Sequence, residues 1–298
     1  MNRKVIKSIV KSKLNKWLKS IKDEEVRKLA AANTILTGGA IASLLLSEDV
    51  KDFDLYFRDK KTTLAVADYY VKEFNSKHEK ARAEVRVIDP NEICQEERVK
   101  ILITTGVAAE SSKENILNTP FEDAVEALEA TNEKEAAPEE DYRPIFLSSN
   151  AITLSGKIQL VVRFFGEPEV IHKNYDFVHC TNYYDNATGE LTLHPAALES
   201  LLTKELKYVG SKYPVCSVIR TRKFIKRGFT VNAGQYLKML FQVSELDLGN
   251  ITVLEDQLVG VDSAYFLQVI HNIKEKQEKD PSFEIDCSYL VSIIDKIF

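Results

Sequence analysis

Apolar residues recur at helical spacing through the first thirty positions: Val5, Ile6, Ile9, Leu14, Trp17, Leu18 and Ile21. A helix over residues 4–31 follows from that period. The pattern then shortens. Thr34-Ile-Leu-Thr37 leads to Gly38-Gly39, the apolar segment Ile41–Leu46, a polar turn, and the strand-like run Phe53-Asp54-Leu55-Tyr56-Phe57. Residues 62–78 read as another helix, and Glu84–Asp89 and Lys100–Thr105 as strands. Ala151–Phe164 reads as a hairpin about Ser155-Gly156, and Tyr175–Cys180 as a further strand. Asp185-Asn-Ala-Thr-Gly189 has turn composition. From Pro195 the period is helical, over 195–208, 215–227, 233–244, 262–278 and 288–298. The expected architecture is α/β (α+β): a mixed-sheet head over residues 1–195, then a mostly helical C-terminal domain over 196–298.

Residues 107–142 break this pattern. They hold eleven acidic and two basic residues among many Ala, Ser and Asn, a composition that suits a mobile insertion rather than a core. Within it, Thr119-Pro120-Phe121-Glu122 has the form of a helix start, with Phe121, Val125 and Leu128 on one face. The acidic segment is a candidate polyanion mimic, a cover for the site, or a protein-partner contact, beside the plainer reading of solvating filler. The opposite charge sits at the start. Residues 1–22 carry eight basic residues and no acidic one, so helix 4–31 presents either a nucleic-acid face or a solvated flank of a packed helix.

The whole chain of 298 residues has a net charge of −5, so attraction to nucleic acid must come from local patches. Four cysteines without Cys-x-x-Cys spacing argue against a zinc site or disulfide framework and fit a reducing cytoplasm. No apolar run approaches a membrane span, and the start lacks the apolar core of a secretory signal.

The chemistry concentrates around the double glycine. In a strand, residues two apart face the same way, so Asp52 and Asp54 project together while Phe53 and Leu55 turn to the core. Two carboxylates at that spacing suit hard divalent cations, Mg2+ or Mn2+. Gly38 and Gly39 let a backbone approach phosphate closely, and the helix after them offers its N–H groups to anions. The set predicts a site for a metal-bound nucleoside triphosphate such as ATP. Phosphoryl transfer between two metals needs more ligands than two aspartates, so a third acid is expected on a neighbouring strand: Asp176, or Asp89. Arg220, Lys223 and Arg227, which share a helical face at spacings of three and four, are expected either to supply cations for the triphosphate or to form a plain basic surface balancing the acidic insertion. The histidines lack metal-ligand spacing, and His179 reads as a hydrogen-bonded, half-buried packing residue. Tyr183 and Tyr184 suit sheet packing better than stacking on a base.

These residues resemble the DNA polymerase beta-like nucleotidyltransferase superfamily, whose mark is Gly-Gly or Gly-Ser on a short helix, Asp-x-Asp on the next strand and a later strand carboxylate. Gly38, Gly39, Asp52, Asp54 and Asp176 match in order. Two segments are similar to the tRNA nucleotidyltransferase and poly(A) polymerase branch: Leu44-Leu45-Leu46 before Asp52, and Lys226-Arg227-Gly228-Phe229-Thr230-Val231-Asn232-Ala233, with Gly228 in the place of an aspartate. The Arg-Asp pair that follows the glycines in that branch is missing. The chain also resembles nucleotidyltransferase-like proteins of phages and large DNA viruses. The resemblance implies transfer of a nucleoside monophosphate from NTP to an acceptor hydroxyl. Asp52, Asp54 and Asp176 would hold the metals, and Gly38, Gly39 and Ser43 the triphosphate. The basic N-terminal helix and the 220–227 cluster could track a backbone, so the expected acceptor is RNA, such as a tRNA end. Nucleotidylation of a protein, or a fold kept only for binding, are the alternatives.

Overall fold

The computed structural model describes residues 1–77, 82–90, 96–103 and 142–248, and beyond these only isolated positions and the stretch 275–280. The acidic segment 107–141 and most of the expected helices 262–278 and 288–298 lie outside the described residues.

The first helix, α1 (Arg3–Ser20), is capped by the Asn2 side chain, which accepts from Val5 N–H. It buries Ile6, Val10, Leu14, Trp17 and Leu18. The single helix expected over 4–31 is in fact two. Ile21 turns extended and buries, and the Asp23 carboxylate accepts from Glu25 and Val26 N–H to start α2 (Glu24–Asn33). An aspartate cap followed by Glu24 and Glu25 favours a fresh N-terminus, because both the orphan N–H groups and the helix dipole welcome negative charge.

Strand β1 (Thr34–Thr37) runs into α3 (Gly39–Leu46). Strand β2 (Phe53–Phe57) follows, then α4 (Lys60–Lys77) and the two-stranded sheet of β3 (Ala83–Ile88) and β4 (Arg98–Ile103). After the undescribed segment come β5 (Pro144–Leu147), β6 (Ala151–Leu154) and β7 (Ile158–Phe165). The short α5 (Pro168–His172) and a 3-10 turn (Val178–Cys180) lead to β8 (Tyr183–Asp185) and β9 (Glu190–Thr192). Three helices close the well-described part: α6 (Pro195–Thr203), α7 (Pro214–Lys226) and α8 (Ala233–Ser244). The main sheet has seven strands in the order β5-β6-β7-β2-β1-β8-β9, and β2 with β7 is its parallel pair. The mixed α/β class expected from the sequence is what forms.

One face of this sheet carries the larger core. Leu36, Phe53, Leu55, Phe57, Leu160 and Val162 pack with Leu14 and Trp17 of α1 and Val66 and Tyr70 of α4. Each such side chain contributes about 1.5–3 kcal/mol by leaving water. Trp17 Nε1 donates to Tyr70 Oη at 2.9 Å, so neither buried polar atom is orphaned. The other face holds a smaller cluster of Ile35, Tyr56 and Ile171. A third cluster joins Ala42 of α3 to Phe177, Leu206, Phe224, Phe229 and Met239, so the later helices pack on the helix that follows the glycines. Among the described residues, no helix is long and apolar enough to cross a membrane.

The strand expected over Tyr175–Cys180 does not form. Phe177 makes a single antiparallel bridge to Tyr208, and Val178–Cys180 coils into the 3-10 turn. The alternation there reflects burial of Phe177 between helices, not a sheet pleat.

Candidate active site at the glycine turn

Gly38 has φ +98° and ψ −149°, a conformation open essentially to glycine alone. A Cβ added to it would stand 2.8 Å from Asp54 Oδ2 and 3.4 Å from Tyr175 Oη. The bare α-carbon is therefore what lets the turn lie against the carboxylate. At Gly39 a Cβ would meet nothing within 4 Å, so the first residue of α3 faces open space. The turn is pinned from behind. Gly38 N–H donates to Cys180 O at 3.1 Å, and Thr37 Oγ1 donates to Asn182 O at 3.0 Å and lies 2.9 Å from His172 Nε2. No side chain caps α3, and the first N–H groups of a helix have no partner within it.

Asp54 projects from β2 on the face of Tyr56, away from the core that takes Phe53 and Leu55. Burial and then the adjacent Asp52 charge hold its carboxyl well above the usual carboxylate range, while Lys223 pulls the other way. Asp52 itself is exposed. Below Asp54, Tyr56 and Tyr175 stay protonated, their phenols raised chiefly by burial. Burial also lifts the Cys180 thiol to about 12, with Asp176 next in effect, so it is no thiolate nucleophile. Burial and His194 lower His172 to about 4, leaving a neutral imidazole beside Thr37.

The charges of Asp176 and Asp54 both raise the Cys180 thiol. Asp176 is not, however, gathered with Asp52 and Asp54. Its Oδ2 takes Arg220 Nη1 at 2.5 Å, and its Oδ1 is buried without a partner. Among the described residues no group of three or more His, Cys, Asp or Glu is arranged to hold a metal. Asp89 follows β3 in the separate two-stranded sheet, not in the seven-stranded one. The expected basic face is formed on α7 and just past its end, and its members have different duties. Arg220 pairs with Asp176, and Lys223 acts on Asp54. Arg227 reaches Glu48 at 2.5 Å and Ser43 Oγ at 3.2 Å. Ser43 is thus buried under Arg227, a full turn along α3 from the glycines. Lys204 joins Glu48 at 2.9 Å, and burial of Glu48 is outweighed by these two cations, which lower its pKa.

His179 differs from its expected role. It is buried among Phe177, Phe224 and Phe229, at 4.5 Å from the Phe224 ring centroid, and neither ring nitrogen has a hydrogen-bond partner. Two residues beside the site had no motif to announce them. His172 enters through tertiary contact with Thr37. Gln159 enters through the strand register, which sets it opposite Asp54.

A divalent ion fits the acidic pair in one respect and not in another. Two like charges, one of them half-buried, gain from a shared cation. The glycine notch a Cβ would fill and the buried Tyr175 Oη mark a polar recess beside them. The donor set contains two carboxylates, not the three that the superfamily resemblance implies.

Comparison with known proteins finds a phage relative. A Gabija anti-defense 2 protein of Bacillus phage SPbetaL7 is 20% identical over 273 residues, 91% of this chain and 51% of its own length. The chain thus spans about half the length of that relative. Among solved structures, the Thermotoga maritima CCA-adding enzyme complexed with tRNA superposes with a TM-score of 0.38 at 12% identity, covering 93% of this chain and 58% of the other. A tRNA nucleotidyltransferase with a primer tRNA and an incoming ATP analog gives 0.35 at 14% identity, covering 87% and 62%. The model of the Gabija anti-defense 2 family protein matches residues 8–204. With more than half of its length inside that match, the chain belongs to the Gabija anti-defense 2 family.

Proposed function

We propose that this chain is a metal-dependent nucleotidyltransferase that counters the Gabija defence named by its family by moving a nucleoside monophosphate onto an acceptor hydroxyl. The acceptor oxygen bonds to the α-phosphorus of an NTP, the bond to the β-bridging oxygen breaks, and pyrophosphate leaves. The acceptor proton passes to solvent. The observation that carries this reading is the packing of the Gly38 α-carbon on the Asp54 carboxylate, which joins a phosphate-accepting turn to an acidic strand end.

Asp52 and Asp54 would hold Mg2+ or Mn2+, which supplies neutralisation of the triphosphate charge. The uncapped N–H groups at the start of α3 would receive phosphate oxygens, and the open space at Gly39 admits them. Lys223, whose charge lowers the Asp54 carboxyl, would serve as a cation for the triphosphate. Arg220 and Arg227 act through others, fixing Asp176 and the Ser43–Glu48 corner so that α7 stays against the turn. The acceptor class we favour is RNA. Lys4, Lys7, Lys11, Lys16 and Lys19 of the first helix and Lys22 in the turn after it are all exposed, a surface able to follow a phosphate backbone.

Incubating the protein with Mg2+ and NTPs labelled at the α-phosphate, with either total RNA or total protein as acceptor, tests this. Label is expected in RNA and is lost in Asp54→Asn. Label in protein alone would transfer the reading to a protein acceptor. No label in either would end it.

A further inference from the structure

The strand register carries an inference about the metal ligands that goes deeper than the proposed function and rests on it. Strands β2 and β7 run parallel, with Phe53 opposite Ile158, Asp54 opposite Gln159 and Leu55 opposite Leu160. Phe53, Leu55, Ile158 and Leu160 all lie in the large core. Side chains alternate along both strands, so Asp54 and Gln159 emerge side by side on the opposite face. Val161, two residues on, confirms the face by packing with Tyr56. Neighbouring parallel strands stand about 4.8 Å apart, a separation that two side chains span with one shared ion. Gln159 is half-buried.

This is the place from which a neighbouring strand would supply a third acid. Here it bears a neutral amide. Asp176, the other candidate, is engaged by Arg220. We propose that Gln159 is the third protein ligand of the site. Its amide oxygen completes a set with Asp52 and Asp54, so the ligands carry two negative charges rather than three and bind a single divalent ion weakly in the absence of nucleotide. Amide oxygens are ordinary ligands for hard cations, and affinity is tuned by the number of charged ligands.

Mn2+ binding to the nucleotide-free protein, followed by electron paramagnetic resonance, tests this without any turnover. The wild type is expected to take one Mn2+. Gln159→Glu should bind it at least about tenfold more tightly, because a carboxylate replaces the amide. Gln159→Leu should weaken binding severalfold. The melting temperature of each variant, with and without Mn2+, guards against misfolding. Gln159→Glu should melt below wild type without the ion, since a third acid joins two others, and should gain more than wild type when Mn2+ is added. Equal affinity and equal Mn2+ stabilisation in wild type, Gln159→Glu and Gln159→Leu would overturn the assignment. Asp54→Asn separates the two levels. If it abolishes Mn2+ binding while the Gln159 variants change nothing, only the ligand role of Gln159 fails. If it too changes nothing, the acidic pair is not a metal site and both readings fail.

Discussion

Gly38 and Gly39 are neighbours with opposite reasons to be glycine, and replacing each with alanine separates them. Gly38→Ala places a methyl group in a backbone region that non-glycine residues avoid, at a cost of about 1–3 kcal/mol. The same methyl lies 2.8 Å from Asp54 Oδ2, closer than van der Waals contact allows, with Tyr175 Oη behind it at 3.4 Å. Overpacking of this kind adds about 1–3 kcal/mol. The sum is a loss of about 2–6 kcal/mol, a large part of the stability of an ordinary domain. Gly39→Ala meets nothing within 4 Å, has no positive φ, and sits at the first position of α3. Alanine there is expected to hold or raise stability by up to about 1 kcal/mol, from helix propensity and the lower entropy of the unfolded chain. Ligand binding should show the reverse order of tolerance. The Gly39→Ala protein, though fully folded, carries a methyl group where phosphate is meant to approach, and its NTP affinity should drop. Urea unfolding gives the stabilities and equilibrium titration with an ATP analogue gives the affinities. Equal stabilities of the two variants, or unimpaired ATP-analogue binding by Gly39→Ala, would refute the reasoning.

Acid should destabilise the protein before its carboxylates titrate. His172 and His179 are lowered from 6.5 to about 4 and about 3, mainly by burial. The folded state then binds fewer protons than the unfolded one, so stability falls as pH drops below about 6.5, by a few kcal/mol in all. His179→Leu should flatten that fall, because its ring nitrogens have no partners to lose; an unchanged pH–stability curve from 7 to 4 would count against the burial argument. Arg58 grips Asp185 with two bonds of 3.1 Å and Glu167 with one of 3.0 Å. Arg58→Ala leaves the Asp185 carboxylate, itself nearly buried, with only Ala187 N–H and Thr188. Chemical denaturation should show a loss of about 2–4 kcal/mol, and a loss below about 0.5 kcal/mol would place the pair among inconsequential surface bridges. Asp54→Asn should raise the melting temperature in EDTA, since it removes a charge that burial and Asp52 both oppose; a lowered value would show that the carboxylate stabilises the fold.

Local rules read some of this molecule well and others poorly. The β2 alternation gave the opposite facing of Asp54 and Phe53 directly, because the pleat is a property of the strand itself, whereas Asp52 precedes the strand. The hairpin about Ser155-Gly156 and the turn Asp185–Gly189 were likewise legible, since each is closed by its own residues: Gly156 and Gly189 adopt positive φ, and Asp185 accepts from Ala187 and Thr188. The apolar period ran through Asp23 and hid both its cap and the break between α1 and α2. Tyr175–Cys180 alternates like a strand but is shaped by contacts with α3 and α7, and no local rule contains those. Asp176 therefore looked like a strand acid when it is an ion-pair partner. The Arg220, Lys223 and Arg227 face was foreseeable from helical spacing, whereas the division of its partners was not. Gln159 sits in an unmistakable apolar strand, but its importance depends on which strand pairs with β2 and in what register, a long-range fact.

The central claim is that the acids at the glycine turn carry out nucleotidyl transfer. It meets its most direct test in single-turnover release of pyrophosphate from NTP in the presence of Mg2+ and RNA, comparing the wild type with Asp54→Asn of verified fold. The account predicts measurable release by the wild type and a fall of at least about a thousandfold in the variant, the scale expected when charge stabilisation of the transferring group is lost. Equal rates in the two proteins would contradict it.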